Sequence, residues 1–448
     1  MSVPNTNNFS LLDVIHELYG PNVSSGNLAQ CFADAHGTFD SRYVGSKDRL
    51  SNFKNYNDRV VLYGLTSNGG HGYNNGSNTF ANGVLFGYSN QANDILTVTN
   101  FVDAGPNAAY PMFQTGDLMV ASDGMMYGLT HSGGDFGTGT IFKYNPITRL
   151  LTIIHSFYSS SDGQSPFGSL VEYSGILYGM TNSGGANDYG TLFSYEISNS
   201  TFTKLKDFNG VGYGANPTGS LIVGSENMLY GLTSKGGTNN YGTVIQYSIN
   251  YNLISKCADF DGVVLGANPQ GSLMLASNGN MYGLTSYGGT TNSGTLFMLD
   301  LSLNISKKYD FIDNVSGSKP YGSLIQASNG LLYGLTNSFS GGYGSLFQYD
   351  IPNDILTKKQ VISSDGSWHP HGSLVQGSDG MLYGTTSGYT STDFFGPSEN
   401  LHDNGSIFQY DIASDGFPWS YNFPQTGTSD YANGRTPCGT LIQYPKKI

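Results

Sequence analysis

One tetrapeptide pattern recurs along this 448-residue chain and limits what the chain can fold into. Tyr-Gly is followed by Leu, Met or Thr and then by Thr, and the seven copies begin at Tyr63, Tyr127, Tyr178, Tyr230, Tyr282, Tyr333 and Tyr383. Successive copies are 64, 51, 52, 52, 51 and 50 residues apart. A period of about fifty residues indicates that one supersecondary unit has been repeated.

Each repeat carries the pattern of four short strands. In the clearest copy these strands cover residues 322–327, 331–336, 345–349 and 355–358. Asn329-Gly330 lies between the first two strands and supplies the positive backbone dihedrals that a tight hairpin turn needs. No 3.6-residue periodicity runs through the repeats, and a β-solenoid would need shorter coils. Four antiparallel strands per unit are typical of a β-propeller blade.

A second motif predicts how the ring closes. Gly-Ser-Leu or a close variant precedes the Tyr-Gly strand in most repeats, at Gly116, Gly168, Gly219, Gly271, Gly322, Gly372 and Gly439. The copy at Gly439 has no Tyr-Gly strand after it, and Tyr63 has no clear Gly-Ser-Leu strand before it. We therefore predict an all-β, seven-bladed β-propeller of four-stranded antiparallel blades over residues 58–448, in which the C-terminal strand pairs with the Tyr63 strand.

Composition excludes several classes of function. The net charge of -13 argues against general nucleic-acid binding, which depends on Lys and Arg. Cys31, Cys257 and Cys438 are too few and too scattered for a disulfide framework or a zinc site, so we expect buried thiols. The chain has no P-loop, nucleophile elbow or His-Glu-x-x-His motif, and His369-Pro370-His371 lacks a third ligand at informative spacing. We predict no catalytic residues, no metal and no cofactor.

Residues 1–57 do not match the repeat and form a separate, partly helical N-terminal segment. A capping pattern at Ser10 precedes an apolar stripe that stops at Gly20-Pro21, and a second helix is expected over residues 28–35. Basic residues cluster at the end of this segment and just beyond it, at Arg42, Lys47, Arg49, Lys54 and Arg59. They fit either a solvated linker that covers the ring or a docking patch for an acidic partner.

Two resemblances extend this interpretation. Residues 31–35 and 39–56, which include Gly45-Ser46-Lys47-Asp48-Arg49-Leu50, resemble N-terminal segments of virion proteins from tailed phages of Bacteroidota hosts, including crAss-like phages. From about residue 58 to residue 444, the Gly-Ser-Leu, Asp-Gly and Tyr-Gly-Thr-Thr pattern resembles the tandem repeats of GloVer-type bacterial surface proteins. The first resemblance implies attachment to a particle, and the second implies a surface propeller. Neither specifies a ligand.

The strand order predicts where binding occurs. The loops between the second and third strands, and those linking one blade to the next, share one face and are rich in Gly, Asn, Asp and Tyr. Two of them, over residues 66–83 and 386–405, are longer than their equivalents and meet where blades 1 and 7 become neighbours. We predict a ligand-binding seam there, suited to carbohydrate; the alternative is that the insertions merely bury the seam or contact the N-terminal segment. Its residues are His71, Tyr73, Asn74, Tyr389, Asp393, Phe394, Phe395, His402, Asp403, Tyr431, Asn433 and Arg435.

The leading functional hypothesis is a non-enzymatic virion protein of a tailed phage, whose N-terminal segment contacts other virion proteins and whose propeller binds host-surface glycan. The N-terminus lacks a secretory signal, no stretch is long and apolar enough to span a bilayer, and we expect a homo-oligomer within the particle. One alternative is a bacterial surface or effector propeller that scaffolds proteins. Another is a glycan-cleaving enzyme, which needs paired carboxylates. Asp259, Asp261, Asp310 and Asp313 lie in blade links, where we interpret them as loop caps.

Overall fold

The described chain folds into seven antiparallel β-sheets, which confirms the predicted all-β, seven-bladed propeller. This computed structural model describes residues 61–68, 83–89, 94–101, 117–338, 344–362, 370, 372–387, 405–423 and 435–444. The predicted N-terminal segment, its two helices, its basic residues and the boundary between residues 57 and 58 lie outside this described part.

We number the blades 1–7 in the order of their Tyr-Gly motifs. The first strands are β1 (Val61–Asn68), β2 (Val84–Ser89), β3 (Asp94–Asn100), β4 (Met119–Val120), β5 (Met126–Thr130), β6 (Thr140–Asn145), β7 (Leu150–Ser156), β8 (Gln164–Tyr173), β9 (Ile176–Ser183), β10 (Thr191–Glu196), β11 (Thr201–Asp207), β12 (Ala215–Val223), β13 (Met228–Lys235), β14 (Thr243–Ser248) and β15 (Leu253–Asp259). The remaining strands are β16 (Met274–Leu275), β17 (Met281–Thr285), β18 (Thr295–Leu299), β19 (Ile305–Asp310), β20 (Ser318–Pro320), β21 (Ile325–Gln326), β22 (Leu332–Ser338), β23 (Gly344–Asp350), β24 (Ile355–Ile362), β25 (Val375–Gln376), β26 (Leu382–Thr386), β27 (Ser406–Asp411), β28 (Gly416–Asn422) and β29 (Arg435–Tyr444).

Blades 2–7 are built from consecutive strands, and blade 1 takes its first strand from the C-terminus. The order in blade 1 is β29-β1-β2-β3, so β29 pairs with the strand that carries the first Tyr-Gly motif. Leu441 of β29 is buried and lies close to Gly64 of β1. The predicted closure is therefore confirmed. Rings of Phe86 in blade 1 and Phe423 in blade 7 meet edge to face, with centroids 5.5 Å apart.

The chain forms two compact units. The larger covers residues 64–86 and 97–442 and contains most of the seven sheets. The described residues of the smaller unit are 61–63, 87–89, 94–96 and 443–444. Within the smaller unit the rings of Tyr63 and Tyr444 meet edge to face, at 6.1 Å between centroids.

The Gly and Thr of the repeated tetrapeptide serve packing between the second and third strands. In blade 6, Gly334 of β22 lies opposite Phe347 of β23, and a Cβ built on this glycine would come within 2.5 Å of the phenylalanine Cζ. The glycine therefore makes room for the ring. The Thr of the motif pairs with the hydroxyl that begins the third strand, as between Thr233 and Thr243 at 2.9 Å, and both residues are fully buried.

The Tyr of the tetrapeptide is linked to the preceding turn. In blade 7 the Tyr383 hydroxyl donates to Asp379 at 2.6 Å, while Asp379 also accepts the amide of Met381 at 3.2 Å. The same arrangement occurs with Asp123 in blade 2. Asn replaces Asp in blades 5 and 6, where its side-chain amide donates to the tyrosine hydroxyl and its oxygen accepts the turn amide. One side chain therefore caps the turn and orients the buried tyrosine ring.

The hairpin turns differ in detail from the prediction. Gly330 has φ 83°, but Asn329 is not among the described non-glycine residues with positive φ. The amide of Gly330 donates to the carbonyl of Ala327, and the amide of Ala327 donates to the carbonyl of Leu331. This is a three-residue loop with a left-handed glycine rather than a two-residue turn with two positive dihedrals. Asn329 acts through its side chain instead of its backbone.

Helix is almost absent from the described chain. One short helix, α1 (Asp313–Ser316), lies in the link between blades 5 and 6. Within the described residues, no helix has the length and apolar character needed to cross a bilayer.

Candidate functional site

The strand order places the long loops on one face of the propeller. In blade 4, β12 begins after a blade link, β13 leads into a loop, and β14 returns to the opposite side. We call the side that carries the blade links and the loops between second and third strands the loop face. The opposite side carries the short hairpin turns. The two sets of loops therefore share one face, as predicted from the strand order.

Exposed aromatic rings lie on the loop face of blades 2, 3 and 4. Tyr189 and Tyr241 occupy equivalent positions, are 43% and 44% exposed, and lie in the loops between second and third strands, whereas blade 2 has Thr138 at that position and carries its ring at Phe136. The Tyr189 ring lies over Gly210 of the next blade link, and the Tyr241 ring lies over Gly262. In blade 2, Phe136 packs on Tyr158 of the corresponding link, with ring centroids 4.9 Å apart. We call Phe136, Tyr158, Tyr189 and Tyr241 the aromatic row.

Two polar clamps hold the loops of blades 3 and 4 in place. In blade 4, the Asn240 side chain accepts the amide of Gly236 at 2.9 Å, and Asn240 itself adopts a left-handed φ of 60°. Asp259 at the end of β15 accepts the amide and the hydroxyl of Thr238. Lys256 donates to the same carboxylate at 2.8 Å. The loop that carries Tyr241 is therefore preorganised.

The clamp carboxylates also show a perturbed acidity. Partial burial acts to raise the pKa of Asp259, but hydrogen bonds from Lys256 and Thr238 outweigh it and hold that pKa below its ordinary value. The pKa of Asp310 in blade 5 is lowered in the same way: partial burial acts to raise it, but hydrogen bonds from Lys307 and Thr290 outweigh this effect. These carboxylates, and Asp261, whose Oδ1 accepts three amides of the following link, are loop caps as predicted.

The aromatic row ends at blade 5. Ser293 occupies the position equivalent to Tyr189 and Tyr241, and it keeps the same loop architecture because Asn292 accepts the amide of Gly288 at 2.9 Å. The link that follows contains α1 with Val315 exposed on the surface. Serine at this position is therefore compatible with the fold, so the tyrosines are not required for loop formation.

A second feature, a ring of polar groups, surrounds a central cavity. The Gly-Ser-Leu motif was expected to continue the inner strand, but in blade 3 the ladder between β8 and β9 shifts register between Phe167 and Val171. At this interruption each Ser amide donates to the hydroxyl of the next blade, for example Ser220 to Ser272 at 2.6 Å. A Cβ on Gly219 would lie 2.4 Å from the carbonyl oxygen of Gly271, so glycine is required for this close approach.

One position of this ring varies in every blade, although its neighbours are nearly constant. The residue between Pro and Gly in Pro-x-Gly-Ser is Phe167, Thr218, Gln270, Tyr321 or His371 in blades 3–7. Three of these, Phe167, Gln270 and Tyr321, line the central cavity. Asp117 also lines it and takes the place of the hydroxyl residue. The cavity has about 60 Å³ accessible to the centre of a water molecule, which is room for a few waters and too little for a sugar.

A histidine and a carboxylate meet between blades 2 and 3, but their contacts are structural. His155 Nε2 lies 2.8 Å from Asp162 Oδ2, and the imidazole stacks on Phe202 of blade 3 at 3.7 Å. Asp162 also accepts the amide of Tyr158 at 2.6 Å. Burial opposes the shift, but these hydrogen bonds hold the pKa of Asp162 below its ordinary value. The pair joins blades 2 and 3 rather than facing open space.

The predicted seam falls largely outside the described residues. Arg435 begins β29, but its side chain is not described. The other eleven seam residues, and His369 and His371, lie in segments outside the described part of the chain. Sequence reasoning missed the exposed positions of Tyr189 and Phe136, because repetition made them look like loop filler. It noted Gly-Asp-Leu only as a variant of Gly-Ser-Leu, although Asp117 is the one described carboxylate of the cavity wall.

Metal ligands of the usual kind are not grouped in the described residues, where no three His, Cys, Asp or Glu side chains come together. The two described cysteines are free. Cys438 is buried, which raises the pKa of its thiol to about 12 and confirms the expectation of an unreactive filler at this position. Cys257 is partly buried and its thiol pKa is raised to about 12 by the same cause.

With the repeat geometry in place, comparison with known proteins identifies the family. The model of the Gloeobacter/Verrucomicrobia repeat matches residues 57–276, 211–393 and 258–447. The chain belongs to this repeat family. Its matched residues span all seven blades, which agrees with the predicted resemblance to GloVer-type repeats. No curated protein matches the sequence significantly.

Solved structures with the same fold come from several bacteria. The repeat protein is similar to a periplasmic gluconolactonase of Pseudomonas aeruginosa, at 14% identity and a TM-score of 0.55 over 85% of this chain and 99% of that one. A protein from Lactobacillus plantarum has 12% identity and a TM-score of 0.55 over 86% and 99%. A candidate 6-phosphogluconolactonase from Bacteroides fragilis has 12% identity and a TM-score of 0.54 over 86% and 98%. Identities this low show a shared fold alone.

Proposed function

We propose that this repeat protein is a non-enzymatic binding protein whose loop face attaches to glycan. The observation that carries the proposal is the aromatic row, in which exposed rings lie on the loop face of three consecutive blades and two of them, Tyr189 and Tyr241, occupy equivalent positions. Aromatic rings stack on the apolar faces of sugars, and neighbouring amides and carboxylates bond sugar hydroxyls. Asn187 and Asn239 flank Tyr189 and Tyr241 in their loops and supply such groups.

Exposed rings in consecutive blades favour a repetitive ligand. A polysaccharide presents similar sugar faces along its length, and Tyr189 and Tyr241 present two equivalent rings in neighbouring blades. The clamps formed by Asn240 and Asp259 support this, since a loop held before binding loses less conformational entropy on binding. The net charge of -13 disfavours polyanionic ligands such as nucleic acid.

A binding role is favoured over catalysis by the character of the described polar groups. The described wall of the central cavity contains one carboxylate, Asp117, and the described carboxylates of the blade links are occupied by loop amides and lysines. Hydrolysis of a glycosidic bond requires two carboxyl groups that face each other across the substrate. The similar structures named as lactonases share only the fold with this chain, so their activity is not assigned to it.

The test measures glycan binding by the full-length protein on an array of bacterial surface polysaccharides. Tyr189→Ser and Tyr241→Ser use the residue that blade 5 carries at this position, so the loops are expected to fold normally. Each change should weaken binding about 2- to 10-fold, as expected for loss of one aromatic contact. Tyr251→Ser is the matched control, because Tyr251 is 82% exposed on a hairpin turn of the opposite face. Absence of array binding, or equal losses from all three variants, would refute the proposal.

The N-terminal resemblance supports a more specific setting, in which the segment with Arg42, Lys47 and Arg49 attaches the propeller to a phage particle that adsorbs to host glycan. This setting is tested separately by mass spectrometry of purified phage particles from a culture that expresses the chain. The presence of the chain at stoichiometric abundance in the particles would support a virion role. Enrichment in the bacterial envelope fraction instead would favour a bacterial surface protein and leave the glycan proposal standing.

A further inference from the structure

The ring of polar groups around the central cavity is a continuous hydrogen-bonded chain with one chemically different member. Amides donate from Ser169 to Ser220, from Ser220 to Ser272, and onward through Ser323 and Ser373 to Thr440, at 2.6–3.0 Å. The Thr440 amide then donates to the carboxylate of Asp117. Blade 2 thus places a carboxylate where every other blade places a hydroxyl.

The described surroundings of this carboxylate provide no positive charge. Among the described residues that line the cavity there is no Lys, Arg or His, and His371, the blade 7 equivalent of Gln270 and Tyr321, lies outside the described part of the chain. Asp117 is partly exposed where it lines the cavity, and its carboxylate accepts the Thr440 amide. Partial enclosure raises the pKa of Asp117, and hydrogen bonds from Thr440 oppose this rise. A partly enclosed carboxylate beside neutral oxygen donors favours the binding of a cation from solvent.

The donors around the cavity suit a hard cation. Each serine hydroxyl that accepts an amide retains a second lone pair, and the walls add the Gln270 amide and the Tyr321 hydroxyl. These are oxygen donors, which bind Ca²⁺ and alkali cations in preference to zinc or copper. The volume of about 60 Å³ accommodates an ion together with a few waters.

We propose that the central cavity binds a hard, partly hydrated cation, with Asp117 as its charged ligand and the ring hydroxyls as neutral ligands. With a single charged ligand the site is weak, so we expect dissociation constants of about 10⁻⁴–10⁻³ M for Ca²⁺. The cation ties blade 2 to the facing blades through the ring. It stabilises the fold without taking part in glycan recognition on the aromatic row.

The experiment measures thermal unfolding and calorimetric binding with CaCl₂ or NaCl against choline chloride at equal ionic strength. The midpoint of thermal unfolding of the wild-type protein should rise by about 1–3 °C and saturate at millimolar Ca²⁺, or at higher Na⁺ concentration if the site selects a monovalent ion. Asp117→Ser inserts the residue found in blades 3–7, and Asp117→Asn keeps the shape without the charge. Both should lose the cation response and remain folded in choline chloride.

Asp123→Asn is the control, because it removes another carboxylate of blade 2 at a turn where blade 5 naturally carries Asn278. This variant should keep the cation response. A wild-type protein without a saturable response, or an equal response in the Asp117 variants, would overturn the proposal. If Asp117→Asn does not fold, Asp117→Ser decides the outcome, since serine is the residue that the ring normally contains.

Discussion

Substitution of Thr233 and Thr243 provides a quantitative test of the role assigned to the buried hydroxyl pairs. The Thr233 hydroxyl lies 2.9 Å from that of Thr243, accepts the amide of Thr243 at 3.0 Å and bonds the carbonyl of Lys235 at 2.9 Å. The Thr243 hydroxyl has one proton, which it donates either to Thr233 or to the carbonyl of Tyr213 at 3.2 Å. Only the loss of the Thr233 hydroxyl leaves a buried amide without its acceptor.

The two valine variants should therefore differ. An unsatisfied buried amide costs about 1–3 kcal/mol, and each lost hydrogen bond costs about 1 kcal/mol. Thr233→Val should lower the free energy of unfolding by roughly 2–4 kcal/mol and Thr243→Val by about 1 kcal/mol. Valine is tolerated sterically at the second position, because Val84 occupies it in blade 1 and still donates its amide to Thr66 at 3.0 Å.

Urea unfolding followed by tyrosine fluorescence and circular dichroism measures the difference, with coincident transitions as the check on two-state behaviour. The double variant should resemble Thr233→Val alone to within about 1 kcal/mol, because the first substitution already breaks the pair. Equal costs for the two single variants would show that the amide bond to Thr233 is not the dominant contribution. A larger cost for Thr243→Val would refute the reasoning outright.

Three further results are expected. Gly334→Ala should lower the free energy of unfolding in urea by about 1–3 kcal/mol, because the new methyl group meets the Phe347 ring. Gly231→Ala in blade 4 should lower it less, since the atom nearest to the new methyl group is 2.9 Å away. The pKa of Asp259 is lowered in the folded state, so its carboxylate stabilises the fold above its unfolded pKa near 3.9, and this contribution disappears as pH falls through the lower folded value. The difference in free energy of unfolding between wild type and Asp259→Asn should therefore shrink between pH 5 and about pH 2. A constant difference would contradict this assignment. Cys438, with its thiol pKa raised to about 12, should resist disulfide reagents at pH 8 until the protein unfolds, as mapped by mass spectrometry.

Sequence alone determined the fold of this protein to a large extent. Seven Tyr-Gly motifs specified seven blades, and the unpaired copies at Tyr63 and Gly439 specified closure. This worked because the constraints are local and repeated: a glycine that accommodates a facing ring and a threonine that satisfies a buried amide are needed wherever the blade occurs. The same repetition makes a hairpin turn predictable, although the role of Asn329 as a side-chain cap was decided by geometry.

Tertiary structure decided which positions are available for function. Tyr189 and the buried Tyr178 belong to the same repeat, and their exposures differ because one lies over a glycine at the rim and the other lies between sheets. Asp117 looked like a minor variant in a strand motif, but the ring of inter-blade hydrogen bonds places it on a cavity wall with residues more than three hundred positions away. Such contacts depend on closure of the whole ring, so no local pattern encodes them.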